Sequence, residues 1–330
     1  MESSRRFLVD RGTGGVVLAR SERPLRIGVV GTGSLGRHHV RILSSLPDAE
    51  LVGIHDIRPE VGAAVADEFG TQSYPALEPL ASGIEAAVVA VPTVDHAEIG
   101  CELLGRGIHV LVEKPIASGL AEADKLVTAA GDQILAVGHV EFFNPAVERL
   151  LDVGQSPGFV EVHRLAAFSP RSLDVDVVLD LMIHDLQILH ALDDSPVAEV
   201  RATGISVLSE RIDIANARVA LTSGCVANLT ASRVSSERVR KLRVFLPGRG
   251  YYSVDYQEQQ IKGVRLEDSG GARQIAPDPL AVIRQEPLVR ELEAFVAACR
   301  GGESRLVNGI QGRRALKTAY RVLRAIAESG

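Results

Sequence analysis

From Leu25 onward, short apolar runs alternate with segments whose apolar positions recur every three or four residues. LRIGVV precedes GSLGRHHVRILSS, AELVGIHDI precedes PEVGAAVADEF, EAAVVAV precedes VDHAEIGCELLGRG, HVLVEK precedes GLAEADKLVTAAG, and QILAVGHV closes the series. Strands that are apolar along their length, separated by amphipathic helices, predict a doubly wound parallel sheet covered on both faces. The rhythm changes at Asn144. After the helix NPAVERLLDV come longer runs, FVEVHRLAAF, AEVRATGISV, NARVALTS, CVANLTASRV, KLRVFLP and YYSVDYQ, in which apolar and polar residues alternate. A period of two predicts a largely antiparallel sheet. Two helices, EPLVRELEAFVAACR and GIQGRRALKTAYRVLRAIAES, follow. The expected class is α/β, with a parallel-sheet domain over 25–143, an α+β domain with a large open antiparallel sheet over 144–330, and a loosely attached extension over 1–24.

One helix breaks its own pattern. VLDLMIHDLQIL, residues 178–189, is apolar around most of its circumference yet carries Asp180, His184, Asp185 and Gln187. At about 100° per residue Asp180, His184 and Gln187 share a narrow arc, and Asp180 and His184 lie one turn apart, close enough to touch. An unpartnered acid or imidazole in a buried helix costs several kcal/mol. Either an Asp–His hydrogen bond locks a core helix, or the polar stripe belongs to a site.

Composition narrows the classes. With 330 residues, 46% of them hydrophobic, the chain can bury a large core, and its length suggests two domains. The net charge is −6, and no Lys/Arg stripe is interleaved with aromatics, so neither nucleic acid nor an anionic membrane is an expected partner. Cys101, Cys225 and Cys299 are far apart, without CxxC or metal-ligand spacing, which suits core packing in a reducing compartment. Apolar runs in the first 24 residues are too short for a signal-peptide core or a membrane span, so the cytoplasm is the expected location.

Candidate chemistry begins in LRIGVVGTGSLGRHHV, where Gly31, Gly33 and Gly36 form GxGxxG between a strand and a helix, with Thr32, Ser34 and Leu35 between them. The first glycine permits a tight turn, the second lets the backbone approach a pyrophosphate, and the third allows close helix-to-strand packing, with the helix N-terminus facing the anion. Asp56 ends the next strand about 20 residues after Gly36, the spacing for a carboxylate that accepts from ribose hydroxyls. NAD is therefore favoured over NADP, whose 2′-phosphate would meet a like charge, although Arg58 stands close by. Two more strand ends belong to the same cofactor-binding crevice of a Rossmann sheet: Pro92, Thr93 and His96 in AVPTVDH, and Glu113 and Lys114 in HVLVEKPIA. Lys114 follows the apolar run Val110–Val112 and Glu113 and precedes a proline that fixes the chain, as a cation serving hydride transfer would.

GTGSLG, the EKP of Glu113–Pro115 and the DxxxH of Asp180 and His184 together resemble the glucose-fructose oxidoreductase / inositol dehydrogenase / MocA family over about residues 25 to 330. The resemblance implies an NAD-dependent oxidoreductase with Lys114, Asp180 and His184 as the catalytic set. It also implies a second domain that holds the substrate and joins subunits into homodimers or homotetramers through its sheet. GHVEFFNPAVERL and SPRSLDVDVVLDLMIHDLQIL are similar to the branch containing UDP-N-acetylglucosamine 3-dehydrogenases of lipid A or surface-sugar pathways. That branch commonly has Arg-Phe-Asn-Pro where this chain has Phe142-Phe143-Asn144-Pro145, so any contact made by that arginine is missing.

In this reading His184 is the general base, Asp180 holds its tautomer and Lys114 stabilises the charge that develops on the reacting oxygen. Substrate contacts are expected from Phe143, Asn144 and His184. Arg164 and Arg171 would meet the diphosphate of a nucleotide sugar, with Arg233 and Lys241 as weaker candidates. No metal site is expected, because Asp185 and His190 point away from the Asp180/His184 face. Inositol and free-sugar dehydrogenases stay open as alternatives, as does a non-catalytic dinucleotide-binding regulator, which would have no use for the lysine, acid and imidazole together.

Overall fold

The computed structural model describes residues 8–9, 16–17, 23–168, 175–269 and 272–329. Within the stretch read as an extension, β1 (Leu8–Val9) pairs antiparallel with β2 (Val16–Val17).

A five-stranded parallel sheet contains β3 (Leu25–Val30), β4 (Ala49–His55), β5 (Ala86–Val89), β6 (His109–Glu113) and β7 (Leu135–Gly138), in the order β4-β3-β5-β6-β7. Parallel neighbours need crossovers, supplied here by α1 (Ser34–Leu43), α2 (Pro59–Phe69), α3 (Leu77–Ala81), α4 (His96–Gly105) and α5 (Leu120–Ala130). Helices on the faces explain the unbroken apolar strands. Ile27, Val29, Val88, Val89 and Leu111 are fully buried, and each such side chain contributes roughly 1.5–3 kcal/mol relative to leaving it exposed. From β3 the chain moves first to β4 on one side and then to β5 on the other, so the order reverses at the end of β3, where Gly31 begins the glycine loop. Such reversals are where open α/β sheets bind ligands.

The other elements include α6 (Pro145–Leu151), β8 (Phe159–Leu165), α7 (Ile183–Leu192), β9 (Val197–Ile205), β10 (Ile214–Leu221), β11 (Val226–Ser232), β12 (Val239–Leu246), β13 (Gly250–Asp255), β14 (Gln260–Ser269), β15 (Ala272–Pro277), α8 (Pro287–Cys299) and α9 (Gly309–Ser329). The strands form a sheet of order β15-β14-β13-β12-β8-β11-β10-β9, antiparallel throughout except where β8 meets β11. Its sequence alternation is literal. In β10, Ala215, Ala217 and Val219 point inward while Asn216 and Arg218 face out, so only one face of the sheet needs covering. On the covered face α9 packs against β9, and α7 against α9.

The chain forms two compact units. One comprises residues 1–113, 125–136 and 291–306; the other comprises 114–124, 137–290 and 307–330. The two interleave along the chain, and the boundary read from the pattern between residues 143 and 144 lies inside the second unit. Lys114 belongs to that second unit, although Glu113 belongs to the first. Among the described residues no helix is long and apolar enough to cross a membrane.

Candidate active site

In the first unit the glycine loop is shaped by backbone. Gly31 has φ +84°, and a Cβ there would lie 2.7 Å from the Ala90 carbonyl oxygen; a Cβ on Gly36 would lie 1.9 Å from the carbonyl oxygen of Gly31. Helix α1 therefore packs against the turn only because Gly36 has no side chain, and the turn fits beside Ala90 only because Gly31 has none. Gly33 differs, since a Cβ there would meet no protein atom within 4 Å. Its lack of a side chain leaves room beside the N-terminus of α1, and no side chain caps that end. Open space, free N–H groups and a helix dipole fit a pyrophosphate.

Asp56 is fixed by its neighbours. Its Oδ2 accepts from the Thr32 N–H at 2.8 Å and the Thr32 hydroxyl at 2.9 Å, and its Oδ1 accepts from the Arg58 N–H at 3.0 Å. Burial pushes this carboxyl up, but the N–H groups of Arg58 and Thr32, with the Thr32 hydroxyl, outweigh it and hold the group below the usual carboxylate range. A fixed anion where the adenosine ribose would bind suits NAD. The Arg58 guanidinium is largely exposed and 3.5 Å from Asp56. Ser34 and Leu35 lie on the exposed first turn of α1, with Pro92 exposed and Thr93 half-buried beyond β5. Two expected cofactor contacts are corrected at the side-chain level. His96 is buried with Nε2 3.0 Å from the Val91 carbonyl oxygen, so it ties down its own loop. Glu113 is buried, with Oε1 2.6 Å from Nε2 of His39 on α1. Burial, then the Glu113 charge, pushes the carboxyl of Glu291, also buried, well above the usual carboxylate range.

The second unit brings the lysine, acid and imidazole together, but in a different pairing. A π-helical turn over Val178–Met182 leads into α7. Such turns gather at functional sites because they free backbone groups from the regular ladder. Lys114 donates to the Asp180 carbonyl oxygen at 2.7 Å and to Oδ1 at 2.9 Å. The expected Asp180–His184 bond is absent: the carboxylate goes to the ammonium, and His184 Nδ1 is buried without a hydrogen-bond partner. The reason is electrostatic, since a partly buried cation attracts a carboxylate more strongly than a neutral imidazole does. His184 instead meets His139 edge to face, with ring centroids 5.6 Å apart and planes at 89°. Burial first, then the charges of Lys114, His139, Arg164 and Arg240, hold His184 well below the usual histidine range, so it is neutral at physiological pH.

The expected substrate residues fare less well. Arg164 is only 2% exposed. It bonds Asp185 through Nε and Nη2, each at 2.7 Å, and Glu141 through Nη1 at 2.7 Å. An internal ion-pair network has claimed the guanidinium expected to meet a diphosphate. Arg233 is likewise buried on Asp213, at 2.8 Å, and on the Val175 carbonyl. Arg171 lies outside the described residues, and Lys241 is exposed on β12. Phe143 is a core residue, packed edge-on against Phe142. Asn144 is the N-cap of α6, accepting from the Ala146 N–H at 3.1 Å and donating to the Tyr256 carbonyl at 2.9 Å. Both are engaged within the protein.

Sequence reasoning missed His139, Glu141, Asp185 and Tyr256 as members of this cluster. A signal for Arg164 was present: in β8 it falls in phase with the buried Val160 and Val162, so it had to point inward.

Over residues 25–139 the chain matches the family described as an oxidoreductase family with an NAD-binding Rossmann fold. It is 34% identical over 308 residues to a UDP-N-acetylglucosamine 3-dehydrogenase of Acidithiobacillus ferrooxidans, covering 92% of this chain and 97% of that protein. An inositol 2-dehydrogenase of Rhizobium meliloti is 26% identical over 325 residues, covering 92% of this chain and 97% of its own. A solved structure of the Acidithiobacillus ferrooxidans enzyme superposes with a TM-score of 0.85 at 33% identity, covering 92% of this chain and 97% of that one.

Proposed function

The chain belongs to the oxidoreductase family of glucose-fructose oxidoreductase, inositol dehydrogenase and MocA type, and we propose that within it this NAD-dependent enzyme oxidises a ring hydroxyl of a sugar nucleotide, as a UDP-N-acetylglucosamine 3-dehydrogenase. Likeness to one such enzyme over 97% of its length carries the substrate assignment. The chemistry rests on the grouping of Lys114, Asp180 and His184 in one unit.

NAD, when bound, supplies a hydride acceptor at C4 of its nicotinamide. Gly33 and the N-terminus of α1 would hold its pyrophosphate, and Asp56 its adenosine ribose. The protein's part is to manage the proton and the charge. As the C–H electron pair leaves the carbinol carbon as hydride, the hydroxyl proton passes to His184, whose neutral ring is ready to accept it. Lys114, anchored by Asp180, offers positive charge to the oxygen while its bond to carbon becomes a carbonyl. Asp180 thus serves by fixing the lysine rather than by orienting the imidazole.

The outward face of the large sheet carries Phe245 stacked on Tyr251 at 5.5 Å and tilted against Phe159 at 5.7 Å. This aromatic patch supports assembly into a homodimer or homotetramer through the sheet, which sedimentation would report. The three cysteines are free thiols, as a cytoplasmic enzyme would keep them.

The test is NADH formation on incubation with NAD and, separately, UDP-N-acetylglucosamine, UDP-glucose, myo-inositol and glucose 6-phosphate. Turnover with the UDP-N-acetylhexosamine alone is the expected result. Preferential turnover of inositol would overturn the assignment, and no turnover with intact NADH binding would favour a regulator.

A further inference from the structure

Arg164 is too well satisfied to recognise a substrate, and it is placed where it holds together the two segments that carry the imidazoles. Asp185, which it grips through a bidentate pair, directly follows His184; Glu141, which it grips through its third nitrogen, lies two residues after His139. The Tyr256 ring lies under the guanidinium, 5.0 Å from centroid to Cζ, and its hydroxyl donates to Asp185 at 3.4 Å. Arg240, opposite Arg164 in the β8–β12 register, donates to the same Glu141 oxygen at 3.0 Å. We propose that Arg164 is a positioning residue of the reaction centre, clamping the His139 and His184 segments into their edge-to-face arrangement and contributing no contact to the substrate.

The geometry has a physical logic. A guanidinium is planar, permanently charged and forked, so one residue fixes the separation and orientation of two carboxylates, which a lysine cannot do. Both carboxylates sit one or two residues from a ring, too short a tether for either ring to move independently. The charge matters as well. Lys114 after β6, His139 after β7, Arg164 on β8 and Arg240 on β12 all disfavour a proton on His184. On the other side stand Asp180 and Asp185 from its own helical segment and Glu141 from the segment of His139. Loss of the Arg164 cation would leave Asp185 without its counter-charge and Glu141 with Arg240 alone, and draw a proton onto the imidazole that must stay neutral to act as a base.

The inference rests on the reading of His184 as the base, and the experiment separates the two. Arg164→Lys keeps the charge but loses the fork. Its kcat should fall on the order of tenfold to a hundredfold, as small misplacements of a reacting group do, with KM for the sugar nucleotide unchanged within about twofold, far less than the loss of a substrate-binding charge pair would cause. A raised KM at preserved kcat would make Arg164 a substrate contact and overturn the proposal. Glu141→Ala, which removes one arm of the clamp, should show the same kcat-only loss if Arg164→Lys fails to fold; wild-type kinetics in Glu141→Ala would also overturn it. NMR titration of ring-labelled histidines needs no turnover. His184 should titrate at higher pH in Arg164→Gln than in the wild type, and an unchanged titration would count against the clamp. If the wild type oxidises no sugar, the dehydrogenase reading fails, while the titration still decides the role of Arg164.

Discussion

The two units build their candidate sites with different parts of the polypeptide. In the first unit the cradle is made by backbone: absent side chains at Gly31, Gly33 and Gly36, uncapped N–H groups of α1, and one carboxylate set by neighbouring N–H donors. In the second it is made by side chains that meet across long stretches of sequence, Lys114 with Asp180, Arg164 with Asp185 and Glu141, His139 with His184. A backbone cradle needs few residue identities at fixed local spacing. A side-chain cluster needs many identities and a particular tertiary arrangement, so the first is robust in sequence while the second can be rewired.

The sharpest way to separate the units is to remove chemistry without removing cofactor binding. His184→Ala or Lys114→Ala should lose turnover by on the order of a hundredfold to ten-thousandfold, with NADH affinity measured by fluorescence within about twofold of wild type. A parallel loss of NADH binding would break the division of labour. Next in size is Asp56→Ala, which removes a charged acceptor worth about 1.5–3 kcal/mol. It should weaken NADH binding by roughly ten- to a hundredfold and erase much of the preference over NADPH, leaving His184 titration alone.

The glycines sharpen the backbone side of the contrast. Gly36→Ala places a methyl group against the Gly31 carbonyl and should destabilise the fold by about 1–3 kcal/mol as well as weaken NADH binding. Gly33→Ala meets nothing in the protein, so thermal melting should be unchanged while NADH affinity falls. Equal melting shifts for both would mean that the loop responds to any side chain.

A separate contrast concerns pH. Burial, then the Arg314 charge, lowers His190 to about 4, and its Nε2 bonds the Thr318 hydroxyl at 2.8 Å. The unfolded chain binds the proton more readily than the folded one between the ordinary histidine value and that lowered one, so stability is full above the ordinary value and is lost as pH falls. The loss below pH 4 amounts to roughly 3 kcal/mol. His190→Gln should flatten the acid side of the stability curve seen by chemical denaturation. The kcat/KM profile should behave differently: with His184 held neutral by burial and neighbouring cations, activity should persist below the ordinary histidine value and fall only in more acid solution.

Much of this fold was legible in the order of residues. The switch from continuous apolar strands to alternating ones at Asn144 announced two kinds of sheet, and both exist. The glycine loop and Asp56 were legible for a related reason, because each depends on local geometry and a spacing set by one strand–helix–strand repeat. The Asp180 pairing was not. Helical spacing put Asp180 one turn from His184, but spacing along one helix says nothing of a lysine 66 residues away that competes for the same carboxylate. Arg164 was misread for the same reason: as a bare arginine before a candidate catalytic helix it suggested a phosphate, and only its inward phase in β8 pointed to the buried acids.

What the sequence determined by itself, then, are the features in which backbone conformation and periodic burial act over a few residues: the strand types, the glycine cradle and the anion at Asp56. Tertiary structure alone decided which buried charge neutralises which. Several acids and bases could satisfy one another, and desolvation leaves each ion to bond whichever opposite charge the packed sheet and helices bring within about 3 Å.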